Sequence, residues 1–219
     1  MSAPTLILAS ASPARAALLR SAGVEPDIRP ADVDEEAILA DAAATAGVAA
    51  LPVPDGVALL AAAKAEAVAS TDLGRAGRGA LVLGSDSLLE LDGEGLGKPH
   101  TAERARDRWR RMRGRTGELH TGHHLICVET GATASAVSST TVHFANLTDA
   151  EIHAYVATGE PLSVAGAFTI DGLGGAFVTG VEGDPHGVVG LSLPLLRTML
   201  ADLGVAWVDL WDRQAVKKA

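Results

Sequence analysis

The chain has 219 residues, of which 47% are hydrophobic and 3% aromatic, and its formal net charge is −9. This length suits one domain whose core is built mainly from alanine, valine and leucine. An acidic chain with few aromatic residues is a poor candidate for binding a nucleic-acid polymer, which requires a basic face. A single nucleotide needs only a local cationic pocket and is not excluded.

The cysteine content and the N-terminal region indicate in which cellular compartment the protein functions. Cys127 is the one cysteine, so a disulfide framework and a cysteine-based zinc site are excluded, and its apolar neighbours predict a buried side chain. Residues 1–15 lack the basic region and the long apolar run of a signal peptide. No apolar stretch reaches the roughly 18 residues of a membrane span. We therefore expect a cytoplasmic protein with no membrane partner.

The first predicted unit is a strand at 5–9, a turn of small residues and a helix ending near Gly23. Ser12 suits the N-cap of this helix and Pro13 its first position. Free N–H groups at such a turn favour an anion, and Arg15 adds positive charge. A well-capped helix without a ligand is the alternative.

A second predicted strand at 26–30 precedes an acidic cluster. Such a cluster is typical of a solvated helix start, because carboxylates favour the first turn. The alternative is that one of its members binds a metal facing Asp86. The cluster consists of Asp32, Asp34, Glu35 and Glu36.

Residues 40–56 are rich in alanine and interrupted by glycine and proline, which predicts an insertion or a flexible connection. Alanine and leucine then predict a helix at 57–70, with Lys64 at its middle. A surface position is the ordinary interpretation of such a lysine. A loop is predicted at 74–79.

Residues 81–99 predict a hairpin whose turn is Asp92-Gly93. The first arm is expected to break at Gly84 and to present Asp86. The second arm ends at Lys98, between a glycine and a proline. A carboxylate suited to a metal, near a cation suited to phosphate, indicates phosphate chemistry.

The arginine-rich stretch 101–113 predicts a helix. Its arginines lie all round the helix and alternate with acidic residues, which favours a solvated helix over an RNA-binding one. Two strands follow at 118–128 and 134–144. On the first strand His120 and His124 share a face and His123 opposes them, which disfavours a histidine metal site.

The C-terminal third predicts a helix capped by Thr148 and Glu151 and ended by Gly159. In the glycine-rich stretch that follows, short strands are expected at 167–170 and 176–181, with Asp171 at the turn between them. A last helix is predicted at 194–203.

Taken in order, these segments resemble the Maf family of nucleoside triphosphate pyrophosphatases. Each motif is weak alone, but their order and spacing from residue 6 to about 200 are specific. The matching motifs are Ser10-Ala11-Ser12-Pro13-Ala14-Arg15, Asp34-Glu35, Lys64-Ala65, Gly84-Ser85-Asp86, Gly97-Lys98-Pro99, Gly114-Arg115-Thr116, Thr121-Gly122, residues 155–162, Ala165-Gly166-Ala167-Phe168 and Val188-Val189-Gly190-Leu191.

The resemblance implies a single Maf-like domain over 1–219 of mixed α/β class. Its elongated, twisted sheet would be flanked by helices, with two lobes and a cleft between them, as in the inosine triphosphate pyrophosphatases. The implied reaction is hydrolysis of a nucleoside triphosphate to the monophosphate and pyrophosphate, with Mg²⁺ or Mn²⁺ as cofactor and a homodimer as assembly. The implied role is removal of non-standard or excess nucleotides. The alternative is a nucleotide-binding regulator of cell division with weak or no catalysis.

The resemblance also assigns roles to residues. Glu35 and Asp86 fall on the acidic positions associated with the metal and with activation of water, and Lys64 and Lys98 on phosphate-contacting lysines. Phosphoryl chemistry requires such cations and such a carboxylate. The remaining substrate-binding candidates are Ser10, Ser12, Arg15, Arg115, Thr121 and Asp171.

Three positions depart from the family pattern. Ala14 and Val164 stand where the family has cationic side chains. Either Arg115 or Arg20 would then supply the positive charge that binds the triphosphate, or triphosphate binding would weaken. Asp171 stands where one branch has a glutamine associated with thymine and uracil nucleotides. An ionised carboxylate accepts hydrogen bonds but donates none, so the preferred base stays open.

Overall fold

The computed structural model describes residues 4–73 and 79–211. Within these residues seven strands form one mixed sheet in the order β2-β1-β3-β5-β6-β7, and β4 pairs with β3. β1 runs parallel to β2 and β3, whereas the other pairs are antiparallel. The strands are β1 (Thr5–Leu8), β2 (Asp27–Ile28), β3 (Ala80–Leu91), β4 (Glu94–Leu96), β5 (Thr116–Cys127), β6 (Thr133–Phe144) and β7 (Val178–Glu182).

Helices flank this sheet, which confirms the mixed α/β class. They are α1 (Pro13–Ser21), α2 (Glu35–Ala46), α3 (Val53–Ala69), α4 (Ala102–Met112), α5 (Asp149–Ala157), α6 (Pro185–Val189) and α7 (Leu193–Asp202). Short 3-10 turns lie at Glu160–Ser163, Ala165–Ala167, Leu173–Phe177 and Trp207–Leu210. None of the helices in the described ranges is long and apolar enough to cross a membrane.

The caps that sequence predicts are present. Ser12 accepts a hydrogen bond from the Arg15 backbone N–H at the start of α1. Thr148 and Glu151 form the complete capping box of α5. The hairpin turn Asp92-Gly93 is also confirmed, with both residues at positive φ (57° and 78°), as the tightest hairpin turns require.

The expected break at Gly84 is wrong, because β3 is continuous from Ala80 to Leu91. A Cβ on Gly84 would lie 2.8 Å from the Ala65 nitrogen and closer still to the Ala61 carbonyl oxygen. This glycine therefore lets the α3 backbone lie directly on the strand, and it has no role in a turn.

Residues 40–56 are mostly helical rather than a flexible connection. α2 extends to Ala46 and ends at Gly47, whose left-handed φ of 70° is a usual helix stop. α3 begins at Val53, with Pro54 in the first turn, where its missing N–H costs nothing. The prolines start a helix here instead of breaking one.

Two other expectations change. Residues 167–170 are not a strand; the Ala167 carbonyl accepts a hydrogen bond from Trp109 Nε1 at 2.8 Å in place of a ladder bond, next to Gly166 at a φ of 67°. Cys127 is half-buried, not buried, since it lies at the end of β5. The loop predicted at 74–79 lies, except for Gly79, outside the described residues.

Candidate active site

A cleft of about 920 Å³ gathers most of the residues that the sequence singles out. It is lined by the turn before α1, the start of α2, the middle of α3 and β3, the 97–104 connection and the 163–171 segment. Arg115 and Thr121 are not among the lining residues. The predicted site residues that line the cleft are Ser10, Ser12, Arg15, Glu35, Lys64, Asp86, Lys98 and Asp171.

The centre of the cleft is a contact between one lysine and two carboxylates. Lys64 Nζ lies 2.6 Å from Glu35 Oε1 and 2.6 Å from Asp86 Oδ1. Because both oxygens contact one nitrogen, they lie at most twice that distance apart. Lys64 is thus no ordinary surface lysine, and the expected approach of Glu35 to Asp86 is present.

Backbone packing sets this contact. Asp86 follows Gly84 by two residues and so lies on the same face of β3. Lys64 follows Ala61 by three residues and therefore shares its face of α3. Gly84 on β3 and Gly122 on β5 both let the α3 backbone approach the sheet, since a Cβ on either would meet it. The close approach at Gly84 therefore places Lys64 over Asp86.

The Arg15 guanidinium is buried below the turn that precedes α1, and its hydrogen bonds are made within the protein. Its Nε donates to the Gly190 carbonyl at 2.7 Å, and Nη1 donates to Ser10 Oγ and to the Ser85 carbonyl, both at 2.9 Å. Its Nη2 donates to Ser87 Oγ at 3.0 Å. Four of the five N–H donors of a guanidinium are therefore used within the protein. Burial lowers the pKa of Arg15 from its ordinary value.

A chain of hydroxyls continues from this guanidinium. Thr121 Oγ1 donates to the Gly187 carbonyl at 2.8 Å, and the Ser87 and Thr121 hydroxyl oxygens lie 2.8 Å apart. Because Thr121 gives its proton to Gly187, Ser87 is the donor of that second bond. Thr121 is fully buried and ties β5 to α6 behind the cleft.

The two arginines expected to replace missing cations are occupied elsewhere. Arg115 pairs with Asp92 at the hairpin turn, at 2.5 Å, and its hydrogen bond lowers the pKa of that carboxyl. Arg20 pairs with Glu25 at 2.8 Å on the exposed side of α1. Neither lies at the cleft.

Several residues that line the cleft are not predicted from the sequence. The sequence predicts a solvated arginine-rich helix, which holds for Arg110 and Arg111, both in exposed ion pairs, but Arg104 lines the cleft. Its position in the first turn of α4, six residues after Lys98, was the available clue. The other lining residues that the sequence does not predict include Ser87, His100 and Thr169.

The wall that carries Asp171 is held by Glu160. This carboxylate accepts hydrogen bonds from the Tyr155 hydroxyl at 2.9 Å, the Thr169 hydroxyl at 2.5 Å and the Gly174 backbone N–H at 3.0 Å. These bonds lower the pKa of Glu160 against the opposing effect of its burial. The 169–174 segment is therefore fixed without regular secondary structure.

The three histidines of β5 serve as hydrogen-bonding groups. His123 Nε2 accepts from the Ser192 backbone N–H at 2.9 Å, and burial lowers the pKa of this histidine to about 4. His120 and His124 bond to serine hydroxyls of β6 at 2.8 Å and 2.6 Å. In residues 4–73 and 79–211 no three histidine, cysteine or acidic side chains cluster to hold a metal.

Known proteins are similar in sequence to this chain over nearly its whole length. The family model described as Maf-like protein matches residues 5–203. A nucleoside triphosphate pyrophosphatase of Leifsonia xyli subsp. xyli is 54% identical over 96% of the chain and 98% of its own length. One of Salinispora tropica is 53% identical over 95% and 88%, and one of Streptomyces coelicolor is 52% identical over 94% of each. The chain therefore belongs to the Maf family.

Proposed function

We propose that this protein is a nucleoside triphosphate pyrophosphatase, which hydrolyses the bond between the α- and β-phosphates. The observation that carries this proposal is the convergence of Glu35, Lys64 and Asp86 in a cleft bordered by the capped start of α1. Relatives at about 50% identity over nearly the whole chain bear that name. The function is removal of non-standard or excess nucleotides.

We propose that Glu35 and Asp86 hold a divalent cation, Mg²⁺ or Mn²⁺. Two carboxylate oxygens already converge on one positive group, the Lys64 ammonium, and hard oxygen ligands are those that these cations prefer. Two protein carboxylates are enough for Mg²⁺, which keeps water and substrate phosphates as its other ligands. Such a cation, when bound, neutralises phosphate oxygens and activates the attacking water.

The other roles in the proposed reaction are proton transfer, phosphate binding and positioning, and different side chains of the cleft supply them. Asp86 is buried and is placed to accept a proton from water. Lys64 and Lys98 offset the charge of phosphate oxygens, and the start of α1, where a helix N-terminus favours an anion, borders the same cleft. Asp171 borders the cleft as a hydrogen-bond acceptor for a base. Arg15 and Thr121 position the turn and Ser87 from below.

A regulator that binds nucleotides without turnover is the weaker alternative. The losses at Ala14 and Val164 favour it, but the retained carboxylates and lysines meet in one place. We further propose one Maf-like domain of two lobes that assembles as a homodimer, on the family resemblance. The single cysteine suits a reducing compartment and supports a cytoplasmic location.

A panel of canonical and modified nucleoside triphosphates with Mg²⁺ tests the proposal. We expect pyrophosphate and a nucleoside monophosphate in equal amounts from at least one substrate, with little free phosphate. Tight nucleotide binding by calorimetry without any turnover would favour the regulator instead.

A further inference from the structure

The free positive charge of the cleft lies on one wall. Lys64 is engaged by two carboxylates, and Arg15 by four hydrogen bonds. Lys98, His100 and Arg104 also line the cleft, and all three are exposed. Among the residues that the structure describes, no carboxylate pairs with Lys98 or Arg104. These side chains are therefore available to an anionic ligand.

The backbone that carries Lys98 is fixed on both sides. The Gly97 carbonyl accepts hydrogen bonds from the Arg108 guanidinium and from the Gly166 N–H. The His100 N–H donates to the Leu162 carbonyl at 3.0 Å, and His100 holds a φ of 62°, which is unusual for a residue with a Cβ. Strained backbone held by surrounding bonds is characteristic of binding sites.

Arg104 extends this wall by one helical turn. It lies in the first turn of α4, which begins after the N-cap Thr101. Arg110 and Arg111, in the last turn, pair with Asp107 and Glu94, and neither lines the cleft. Arg104 is thus the arginine of α4 that borders the cleft.

Carboxylates line another part of the cleft. Glu35 and Glu36 lie at the start of α2 and Asp86 lies on β3, and Glu35 and Asp86 are the residues proposed above to hold the cation. A triphosphate whose α-phosphate is attacked near these carboxylates must extend its β- and γ-phosphates away from them. The 98–104 wall is the part of the cleft that offers uncommitted positive charge to those phosphates.

We propose that Arg104, with Lys98 and His100, binds the two phosphates that leave as pyrophosphate. The inference rests on the proposed hydrolysis between the α- and β-phosphates. A guanidinium binds phosphate oxygens through two parallel N–H hydrogen bonds. It also stabilises the negative charge that develops on the leaving group as the bond breaks. The wall accordingly supplies the cations whose usual positions are taken by Ala14 and Val164.

Calorimetric binding of inorganic pyrophosphate with Mg²⁺, in wild type and in Arg104→Met, tests this assignment. Loss of one charged contact should weaken pyrophosphate binding by about tenfold. Binding of the monophosphate product should not change. Arg104→Lys, which keeps the charge, should lose less. The matched control is Arg106→Met, which removes the same charge two residues away on another face of α4.

The outcomes separate the two proposals. Unchanged pyrophosphate affinity in Arg104→Met, an equal loss in Arg106→Met, or a weakening confined to the monophosphate would each overturn the role of Arg104. Because binding is measured without turnover, this result stands apart from the proposed activity. Failure of the wild-type protein to release pyrophosphate from any nucleotide would overturn the activity itself.

Discussion

The Lys64 ammonium lies 2.6 Å from the Asp86 carboxylate, and each of these side chains is only 12% exposed. The contact joins a helix to a strand whose backbones touch at Gly84. The central geometry of the cleft therefore depends on backbone packing between α3 and β3, and not on a loop.

Replacement of Gly84 by alanine should damage both stability and activity. The new Cβ would meet the α3 backbone at Ala61 and Ala65, which cannot move aside as a flexible side chain would. We expect a loss of about 2 kcal/mol or more in the free energy of unfolding, measured by urea denaturation. Turnover should also fall, because Lys64 would be displaced from Asp86.

Gly56→Ala is the matched control on the same helix. Its Cβ would meet only the Leu39 side chain, at an ordinary 3.4 Å. Alanine is favoured over glycine inside a helix by about 0.5–1 kcal/mol, so this variant should be as stable as wild type or more stable. Equal damage by both substitutions would show that Gly84 has no special packing role.

Arg15→Lys should act on stability more than on substrate affinity. Lysine keeps the charge but cannot reproduce the four hydrogen bonds to Ser10, Ser85, Ser87 and Gly190. Buried acceptors left unpaired should cost about 3 kcal/mol in the free energy of unfolding. Arg20→Lys, on the exposed side of α1, should leave stability unchanged. A higher KM with unaltered stability would instead make Arg15 a direct phosphate ligand.

His123 should make stability depend on pH. Burial holds its pKa at about 4, below the usual 6.5, so the unfolded chain binds a proton near pH 5 that the folded chain does not. Its contribution is present above about pH 6.5 and is lost as the pH falls toward 4. From pH 7 to pH 5 this loss amounts to about 2 kcal/mol.

The measurement is urea unfolding at both pH values for wild type and for His123→Gln. The glutamine oxygen can still accept the Ser192 N–H, so the variant keeps the buried acceptor without the titration. We expect its free energy of unfolding to fall less between pH 7 and pH 5. Parallel losses in the two proteins would exclude His123 as the source.

Local patterns predicted the regular parts of this fold well. The caps Ser12 and Thr148 and the Asp92-Gly93 turn satisfy backbone groups within a few residues, so their effects are visible in short stretches of sequence. Residue patterns singled out Asp86 and Lys98 and placed Glu35 in an acidic cluster, whereas Lys64 received a phosphate-binding role only through the resemblance. Composition alone left Lys64 as an ordinary helix residue.

Long-range packing accounts for what the sequence did not predict. The need for a glycine at position 84 comes from its contact with the backbone of α3, which lies elsewhere in the chain. The hydrogen bonds of Arg15 reach Ser85 and Gly190, which are 70 and 175 residues away. The 3-10 turns after Gly159 are held by Glu160 and Trp109, whose contacts follow no periodic pattern.

The most direct test of the account is product analysis with wild type, Asp86→Asn and Asp92→Asn on the nucleotide that turns over fastest with Mg²⁺. Asp92 is the control carboxylate, since it lies at the hairpin turn with Arg115. We expect equal amounts of monophosphate and pyrophosphate from wild type and Asp92→Asn, and a rate at least about a hundredfold lower from Asp86→Asn. Release of diphosphate and single phosphate, or an unchanged rate in Asp86→Asn, would contradict it.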